Sequence, residues 1–276
     1  MAPAPTPLPS SADVHTLLQI SDCHLVTAQE RLLGVDTQRS LEAVLEQALA
    51  EGTPDAILAS GDLAHEATET VYRRFLDTVR RFTDAPLLCL PGNHDVLAAM
   101  QAAGSPMAPL QLGSWAVVWI DSHEDDKPRA HIDAADRAAF AAELAGLAAE
   151  HVLLATHHPF VAVNAPWLDS DRIQGPEELL EWCAERCVES MQGSGRLQAA
   201  VFGHAHQEVS DTCAAWPVYG VPSTCFQFQP RSARFAVDTL PPGYRWLELA
   251  TDGTVHTRVA RVASFTIEAK LPSGLG

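Results

Sequence analysis

The alternation of short apolar runs with longer amphipathic segments predicts a chain of strands and helices. The first apolar run, Val14–Ile20, is followed by residues 38–51, in which leucine, valine and alanine recur at helical spacing. The same order repeats in the run Ala56–Ser60, the amphipathic segment 68–82 and the run Leu87–Leu90. Strands that alternate with helices in this way predict an α/β sheet with helices packed on it.

The pattern continues less regularly through the middle of the chain. In order, we predict a short helix over 96–103, a strand over 115–120, an exposed loop over 122–131, a surface helix over 133–148, the strand His151–Ala155, a long loop over 160–171 and a helix over 176–191. Asp133 is the expected N-cap of the surface helix. Because long ordered loops beside a site often cover it, we expect the loop over 160–171 to cap a substrate.

Strand-like periodicity dominates from residue 199 onward. The predicted strands are 199–202, 208–210, 218–220, 224–228, 244–249 and 255–262, with a hairpin turn at Asp252-Gly253. We expect these strands to be mainly antiparallel. The whole of 14–276 is predicted to be one domain with two packed sheets, preceded by a disordered, proline-rich leader over 1–13.

Composition and charge exclude several classes of partner. The formal net charge is −17 and only 18 residues are Lys or Arg, which argues against a nucleic-acid polymer or an anionic membrane surface. No apolar stretch approaches the ~20 residues that span a bilayer. A phosphate substrate would be repelled at long range, so local cations would have to hold it, which points to metal.

The six cysteines and the N-terminus indicate a reducing compartment. The first residues lack the basic start and apolar core of a secretory signal, so we expect reduced thiols and a cytoplasmic location. Cys183 and Cys187 are one helical turn apart, but no second pair lies nearby, and we expect them to pack or lie at the surface. The helix-rich or C-terminal surface could support a homodimer.

Side chains that can bind metal follow five of the apolar runs. They are Asp22 and His24, then Asp62, then Asn93 and His94, then His157, and finally His204 and His206. Each group alone is compatible with turn chemistry or a polar surface. Because ligands bind at the carboxyl edge of α/β sheets, the joint occurrence at five strand ends predicts a metal centre there.

The ligand types predict two ions. At an extended strand end, Asp22 and His24 would leave on the same face, as would His204 and His206, and the two oxygens of Asp62 could bridge. The first predicted site holds Asp22, His24, Asp62 and one of the two C-terminal histidines, and the second holds Asp62, Asn93, His157 and the other one. Mixed O/N ligation suits Fe, Mn, Zn or Co, of which we favour Fe and Mn. Two such ions roughly 3.5–4 Å apart can stabilise both the attacking and the leaving oxygen of a phosphoryl displacement.

Three neighbours of these ligands, and the ligand Asn93 itself, have further expected roles. Cys23 should point away from the ligands and pack. His65, three residues after Asp62, should be a surface histidine or stand behind the ligands, with contact to substrate or metal as the alternative. As a weak neutral ligand, Asn93 would leave the second ion open to a substrate oxygen, and Asp95 is expected to cap the following helix.

Taken in order, these groups resemble the motifs of the calcineurin-like metallophosphoesterase superfamily. The matching residues are Asp22-x-His24, Gly61-Asp62, Gly92-Asn93-His94-Asp95, His157 and Gly203-His204-x-His206. Other stretches are similar to the bacterial class III cyclic nucleotide phosphodiesterases of the cyclic AMP branch. Among them are Leu32-Leu33-Gly34-Val35, Tyr72, His157-His158-Pro159, Trp167-Leu168-Asp169 and Pro222-Ser223-Thr224-Cys225-Phe226-Gln227-Phe228.

The resemblance implies a fold, a reaction and roles for single residues. The fold would be a four-layer α/β/β/α sandwich of two mixed sheets flanked by helices. The reaction would be hydrolysis of a 3′,5′-cyclic nucleotide, cyclic AMP first, to the 5′-monophosphate by a metal-bridging hydroxide. His206 would belong to the first metal and His204 to the second. Asn93 and His94 would bind substrate, with His94 as the catalytic residue that stabilises phosphate charge or protonates the leaving 3′ oxygen.

Two alternatives stay open at this point. The same centre could act on 2′,3′-cyclic nucleotides, glycerophosphodiesters or other small phosphodiesters, because the metals contact only the phosphate. A scaffold that has lost its metals is the second alternative, although no ligand position is missing from the sequence.

Overall fold

The computed structural model describes residues 14–27, 30–125 and 127–267, so the predicted leader over 1–13 lies outside the described residues. The strands are β1 Val14–Ile20, β2 Ala56–Ser60, β3 Leu87–Leu90, β4 Leu110–Leu112, β5 Trp115–Trp119, β6 His151–Ala155, β7 Arg196–Phe202, β8 Val209–Cys213, β9 Trp216–Gly220, β10 Gly243–Ala250 and β11 Val255–Arg261. The helices are α1 Thr37–Glu51, α2 Glu69–Phe82, α3 Leu97–Ala103, α4 Ala134–Leu144, α5 Pro166–Asp169 and α6 Pro176–Ser190. The predicted strands β1, β2, β3 and β6 have the predicted bounds.

Side-chain caps fix where three of the helices begin. The carboxylate of Asp36 accepts a hydrogen bond from the Arg39 N–H at the start of α1, and the Thr68 side chain caps α2. At α4, Asp133 and Asp136 form a reciprocal capping box, which confirms the predicted N-cap. Each cap satisfies backbone N–H groups that have no partner inside the helix.

Two mixed sheets form the centre of the molecule. The first has the order β11-β10-β1-β2-β3 and the second the order β4-β5-β6-β7-β9-β8. In the first sheet β1, β2 and β3 are parallel, and β10 runs antiparallel to both β1 and β11. In the second sheet β5, β6, β7 and β9 are parallel, with β4 and β8 antiparallel at the edges.

Apolar side chains pack in three successive layers. One lies between the first sheet and α1 and α2, with Leu41, Val44, Phe75 and Val79 buried. The second lies between the two sheets, and the third between the second sheet and α4 and α6. The predicted α/β/β/α sandwich of two mixed sheets flanked by helices is therefore confirmed.

Of two expectations for the C-terminal part, the mainly antiparallel pairing is confirmed and one predicted strand was wrong. The pairs β8–β9, β1–β10 and β10–β11 are antiparallel, whereas β7 is parallel to β6, through the crossover α6, and to β9. Residues 224–228 form no strand. Their apolar residues reflect burial of Cys225, Phe226 and Phe228, while the Cys225 N–H and the Gln227 side-chain amide donate hydrogen bonds to Ser223.

The predicted exposed loop over 122–131 is exposed at residues 124, 125, 127–129 and 131, but not at its start. The side chain of Ser122 is buried and its hydroxyl lies 2.9 Å from His158 Nδ1. At Ser122 the polar residue makes a hydrogen-bonded interior contact, which periodicity does not distinguish from solvent exposure.

All six cysteines are buried free thiols. Cys23 lies in the core between the first sheet and its helices, and Cys183 and Cys187 lie between α6 and the second sheet. Of the two expectations for Cys183 and Cys187, packing is thus confirmed and a surface position is wrong. In the described residues, no helix has both the length and the apolarity needed to cross a membrane.

Glu143 gives a pH-dependent prediction for folding stability. It lies in the last turn of α4, its Oε2 is buried with no partner among the described residues, and burial raises its pKa to about 7. Because this folded pKa exceeds the usual 4.5, ionisation destabilises the fold as pH rises from 4.5 towards 7. Half-exposure screens the effect, so we expect Glu143→Gln to raise the Tm by roughly 2 °C at pH 8.

Thermal unfolding at pH 5 and pH 8 checks this. At pH 5 the two proteins should unfold at nearly the same temperature, because Glu143 is then protonated in the folded wild type. Equal Tm values at pH 8 would show that the carboxylate is fully solvated.

Candidate metal centre

The predicted ligands meet where the parallel strands of both sheets end. Asp22 and His24 follow β1, Asp62 follows β2 and Asn93 follows β3, all in the first sheet. His157 follows β6, and His204 and His206 follow β7, in the second sheet. The structure thus brings all seven predicted metal-ligating side chains to one edge of the sandwich.

Most of these residues have left-handed backbone. The φ angles are 54° at Asp22, 45° at His24, 52° at Asp62, 60° at His204 and 49° at His206. The expectation that each pair leaves an extended strand end on one face was therefore wrong. Such φ values cost roughly 1–2 kcal/mol per residue without a compensating structure. Backbone bonds from Asp22 N to Gly61 O and from His24 N to Asp62 O, both 2.9 Å, hold the two turns together.

Glycine is needed where these turns touch. A Cβ on Gly92 would collide with the carboxylate of Asp62 and the ring of His157, and one on Gly203 would collide with Ser21. The two glycines allow the backbone to approach the ligands closely.

The first cluster contains three predicted ligands and one oxygen of a fourth. His24 Nε2 lies 3.0 Å from His206 Nε2 and 3.5 Å from Asp62 Oδ2. His206 Nε2 lies 3.5 Å from Asp22 Oδ1. All four side chains are almost completely buried.

The second cluster is built around the other oxygen of Asp62. His157 Nε2 lies 3.4 Å from Asp62 Oδ1 and 3.1 Å from Asn93 Oδ1. His204 Nδ1 lies 2.8 Å from the same Asn93 oxygen. Asp62 thus has one oxygen in each cluster, which is the arrangement a bridging carboxylate requires.

The spacing of these atoms fits bound cations. Ligand atoms about 2.0–2.2 Å from a shared ion lie about 3.0–3.5 Å from one another. His206 Nδ1 donates to the Phe226 carbonyl at 2.6 Å, and His157 Nδ1 donates to the Ser60 carbonyl at 2.9 Å. In the neutral rings the Nε2 lone pairs therefore face other acceptor atoms, which requires a proton or a metal ion between them.

Orphaned polar atoms support the same conclusion. Asp22 Oδ2 and His204 Nε2 are buried at the centre and have no hydrogen-bond partner among the described residues. A buried carboxylate oxygen without a donor is costly unless a cation compensates it. The residues present therefore fit two metal ions.

The pKa shifts of the candidate ligands also favour metal binding. Burial holds the pKa of His24 and of His204 well below the usual range, so both rings are neutral and have a lone pair for a metal. Against the effect of burial, His157 and His94 hold the pKa of Asp62 well below its usual range. Burial also opposes charge on His157, but the charge of Asp62 raises its pKa to about 9, so metal binding would release its proton.

Asp95 caps no helix, contrary to the expectation, and α3 has no side-chain cap. Its buried carboxylate instead accepts from Leu63 N and Ala64 N at 3.1 Å, and from Gly92 N and the Tyr72 hydroxyl at 2.9 Å. The turn after β2, which bears Asp62, is thereby fixed to the turn after β3. Burial, with the charge of Asp62, raises the pKa of Asp95 to about 6 against the effect of these hydrogen bonds.

Tyr72 and His158 complete the support of the site, and neither was predicted to have a role. The Tyr72 hydroxyl also accepts from Val96 N at 3.0 Å. His158 Nε2 donates to Pro128 O at 3.1 Å, and its ring lies 4.9 Å from that of His204. For the role of His158, the only signal in the sequence was its position beside His157 in the His-His-Pro motif.

An aromatic cluster borders the first set of ligands. The Phe228 ring stacks on His206 at 4.0 Å, and Trp167 of α5 meets Phe228 at 4.9 Å and Phe235 at 5.5 Å. The loop over 160–171 thus packs beside the metal centre through this cluster. Its predicted role of capping a substrate stays a prediction.

Residues 15–208 match the sequence model of a family described as calcineurin-like phosphoesterase. The chain belongs to this family. The matched region contains both ligand clusters, and the resemblance predicted from the five motifs is confirmed.

Several relatives of this phosphoesterase cover nearly its whole length. It is 33% identical over 254 residues to the 3′,5′-cyclic adenosine monophosphate phosphodiesterase CpdA of Haemophilus influenzae, covering 89% of each chain. It is 35% identical to CpdA of Pseudomonas aeruginosa, with 91% of this chain and 92% of the relative covered. A 3′,5′-cyclic-nucleotide phosphodiesterase of a Nostoc species is 32% identical, with 90% and 92% covered.

Solved structures with low sequence identity share the fold. A purple acid phosphatase from yellow lupin superimposes with a TM-score of 0.58 at 12% identity, covering 93% of this chain and 53% of the other. PhoD superimposes with a TM-score of 0.52 at 10% identity, covering 96% and 73%. These similarities support the architecture alone.

Proposed function

We propose that this phosphoesterase hydrolyses 3′,5′-cyclic nucleotides, cyclic AMP first, to 5′-monophosphates with the help of two metal ions. The observation that carries the proposal is the pair of ligand clusters that share Asp62, each with ligand atoms 2.8–3.5 Å apart. Relatives that are 32–35% identical over almost the full chain are named cyclic nucleotide phosphodiesterases, which supports this substrate class.

The side chains divide into two ligand sets. Asp22, His24, Asp62 and His206 would hold the first ion, and Asp62, Asn93, His157 and His204 the second. When bound, two such ions provide a nucleophile from water at neutral pH and neutralise charge on the phosphoryl oxygens. Oxygen and imidazole ligands suit Fe, Mn, Zn or Co, with Fe and Mn favoured.

The chain itself supplies orientation and proton transfer. The carbonyls of Phe226 and Ser60 fix the tautomers of His206 and His157, so each ring presents its Nε2 lone pair. Asn93 is half-buried and His94 is exposed, which leaves this side of the centre open to substrate. His94 would stabilise charge on the phosphate or protonate the leaving 3′ oxygen.

The geometry argues against one of the two alternatives and is compatible with the other. Other small phosphodiesters would meet the same ligands, so the choice among substrates needs activity data. A metal-free scaffold would leave Asp22 Oδ2 buried without a partner from the described chain, which argues against it. A cytoplasmic location and a homodimer stay predictions.

A substrate panel on protein reconstituted with Mn²⁺ or Fe²⁺ tests the proposal. We expect kcat/KM for 3′,5′-cyclic AMP to exceed that for 2′,3′-cyclic AMP and for bis(p-nitrophenyl) phosphate by at least roughly tenfold, about 1.4 kcal/mol of discrimination in the transition state. Product analysis should find 5′-AMP rather than 3′-AMP.

Elemental analysis of the same samples provides the control. We expect about two ions per chain and loss of turnover on chelation, with recovery when metal is returned. A preference for 2′,3′-cyclic AMP or bis(p-nitrophenyl) phosphate would favour the alternative substrates. Turnover without stoichiometric metal would reject the metal mechanism.

A further inference from the structure

Two exposed imidazoles stand at the open side of the metal centre. His65 follows β2 and His94 follows β3, and their ring centroids lie 5.1 Å apart. One nitrogen of each lies within 4.8 Å of the other and of a nitrogen of buried His24. His65 has no assigned part in the ligand sets or in the proposed proton transfer.

The hydrogen bonding of these two residues differs from that of the histidines behind them. The rings of His157, His158, His204 and His206 all have hydrogen-bond partners. Within the described part of the chain, His65 and His94 bond only through their backbone N–H groups, to Leu25 O at 2.9 Å and to Asp62 Oδ1 at 2.8 Å. Both rings therefore have a free N–H donor beside the centre.

We propose that His65 is a second substrate-contacting residue, which joins His94 in donating hydrogen bonds to one non-bridging oxygen of the phosphodiester. This inference rests on the proposed function. It assigns binding of the phosphate to two residues of different loops, His65 after β2 and His94 after β3.

The separation of the nitrogens suits an oxygen between them. Two N–H groups can share an acceptor oxygen at about 2.8–3.0 Å each when their nitrogens are up to about 5.6–6 Å apart. The observed limit of 4.8 Å meets this condition.

A third metal ion is the competing explanation, and the ligand count argues against it. His24 Nε2 faces His206 Nε2 at 3.0 Å and Asp62 Oδ2 at 3.5 Å, so it belongs to the first ligand cluster. Its Nδ1 has no partner among the described residues, but an imidazole that binds one ion through Nε2 keeps the proton on Nδ1 and has no second lone pair to offer. Only His65 and His94 would remain for another ion, fewer than the three protein ligands typical of a tight site.

The backbone holds His65 in place for this role. Its N–H bonds to Leu25 O, and the preceding Ala64 pairs with Leu25 and donates to Asp95. The residue is thus fixed between the turn that bears His24 and the turn that bears Asp62. A rigid backbone lets an exposed ring contact substrate without a large ordering cost.

Three variants test the inference on metal-loaded protein: His65→Ala, His65→Gln and His256→Ala. One hydrogen bond to a charged oxygen corresponds to roughly 10- to 100-fold in affinity or rate. We expect His65→Ala to lower kcat/KM for cyclic AMP and for bis(p-nitrophenyl) phosphate, and to weaken binding of inorganic phosphate, within that range. His65→Gln retains an N–H donor and should recover part of the loss.

Metal content and Tm separate this role from others. Both His65 variants should keep the wild-type metal content and Tm, and His256→Ala, an exposed histidine on β11, should behave as wild type throughout. Unchanged kcat/KM and phosphate affinity in His65→Ala would overturn the inference. Loss of a bound ion would overturn it in favour of a metal ligand.

Failure of the proposed function gives a different result. If metal-loaded wild type turned over no phosphodiester, that function would be rejected. The affinity for inorganic phosphate would still test the role of His65. Equal phosphate affinities of the wild type and His65→Ala would overturn the inference on their own.

Discussion

Replacing Asp62 with asparagine is expected to reduce phosphodiesterase turnover by roughly 10³-fold, about 4 kcal/mol in the transition state. One carboxylate oxygen lies 3.5 Å from His24 Nε2 and the other 3.4 Å from His157 Nε2, so each cluster loses the shared negative charge. The amide nitrogen of asparagine has no lone pair for a metal, and only one cluster can keep an oxygen. Elemental analysis should accordingly find fewer than two ions per chain.

An exposed carboxylate provides the matched control for this substitution. Asp77 lies on the solvent side of α2, and Asp77→Asn removes the same charge away from the centre. It should retain both ions and wild-type turnover. An Asp62→Asn protein with full metal content and full activity would show that Asp62 does not bridge.

The strands that position the site were predictable because they are buried on both faces. The runs of β2 and β3 are entirely buried and are followed at once by turns that contain glycine. The turn fixes where such a short apolar strand ends, so the bounds of the strand can be predicted from the sequence. The order of the ligands along the chain then follows from the order of the parallel strands.

The hydrophobic pattern of the sequence did not predict the backbone conformation of the turns. Alternation along an extended strand would place Asp22 and His24 on one face, but their φ angles of 54° and 45° show a left-handed path. This path depends on bonds to the turn after β2, which lies about forty residues away in the sequence. A local pattern contains no information about such a partner.

The same limit explains the expectations that failed. Residues 224–228 resemble a strand in sequence because three of their apolar side chains are buried, although their backbone forms only an isolated antiparallel bridge, from Phe228 to Val237. Asp95 stands before a helix like a cap, but four donors from two other segments and its own turn occupy its carboxylate. Hydrophobic periodicity reports burial and leaves the identity of long-range polar partners open.

Replacing Asp95 with asparagine is expected to destabilise the fold by about 2–4 kcal/mol, because at least one buried N–H group loses its acceptor and meets another donor instead. Two of the four bonds to Asp95, from Leu63 N and Ala64 N, connect the turn that bears Asp62 to the turn that bears Asn93, and the other two hold the carboxylate in place. Loosening this connection should also lower metal affinity by roughly 10- to 100-fold, the usual effect of losing support behind a metal ligand. Denaturant unfolding and metal titration measure the two effects separately.

Tyr72→Phe is the graded companion of this variant, because it removes one donor to Asp95 and the acceptor of Val96 N while leaving three backbone bonds intact. We expect it to cost about 1–2 kcal/mol of stability, less than Asp95→Asn. Because both residues act on the same two turns, the double variant should be less affected than the sum of the single ones. Additive losses, or an Asp95→Asn protein with wild-type metal affinity, would mean that the carboxylate stabilises the fold without positioning Asp62 and Asn93.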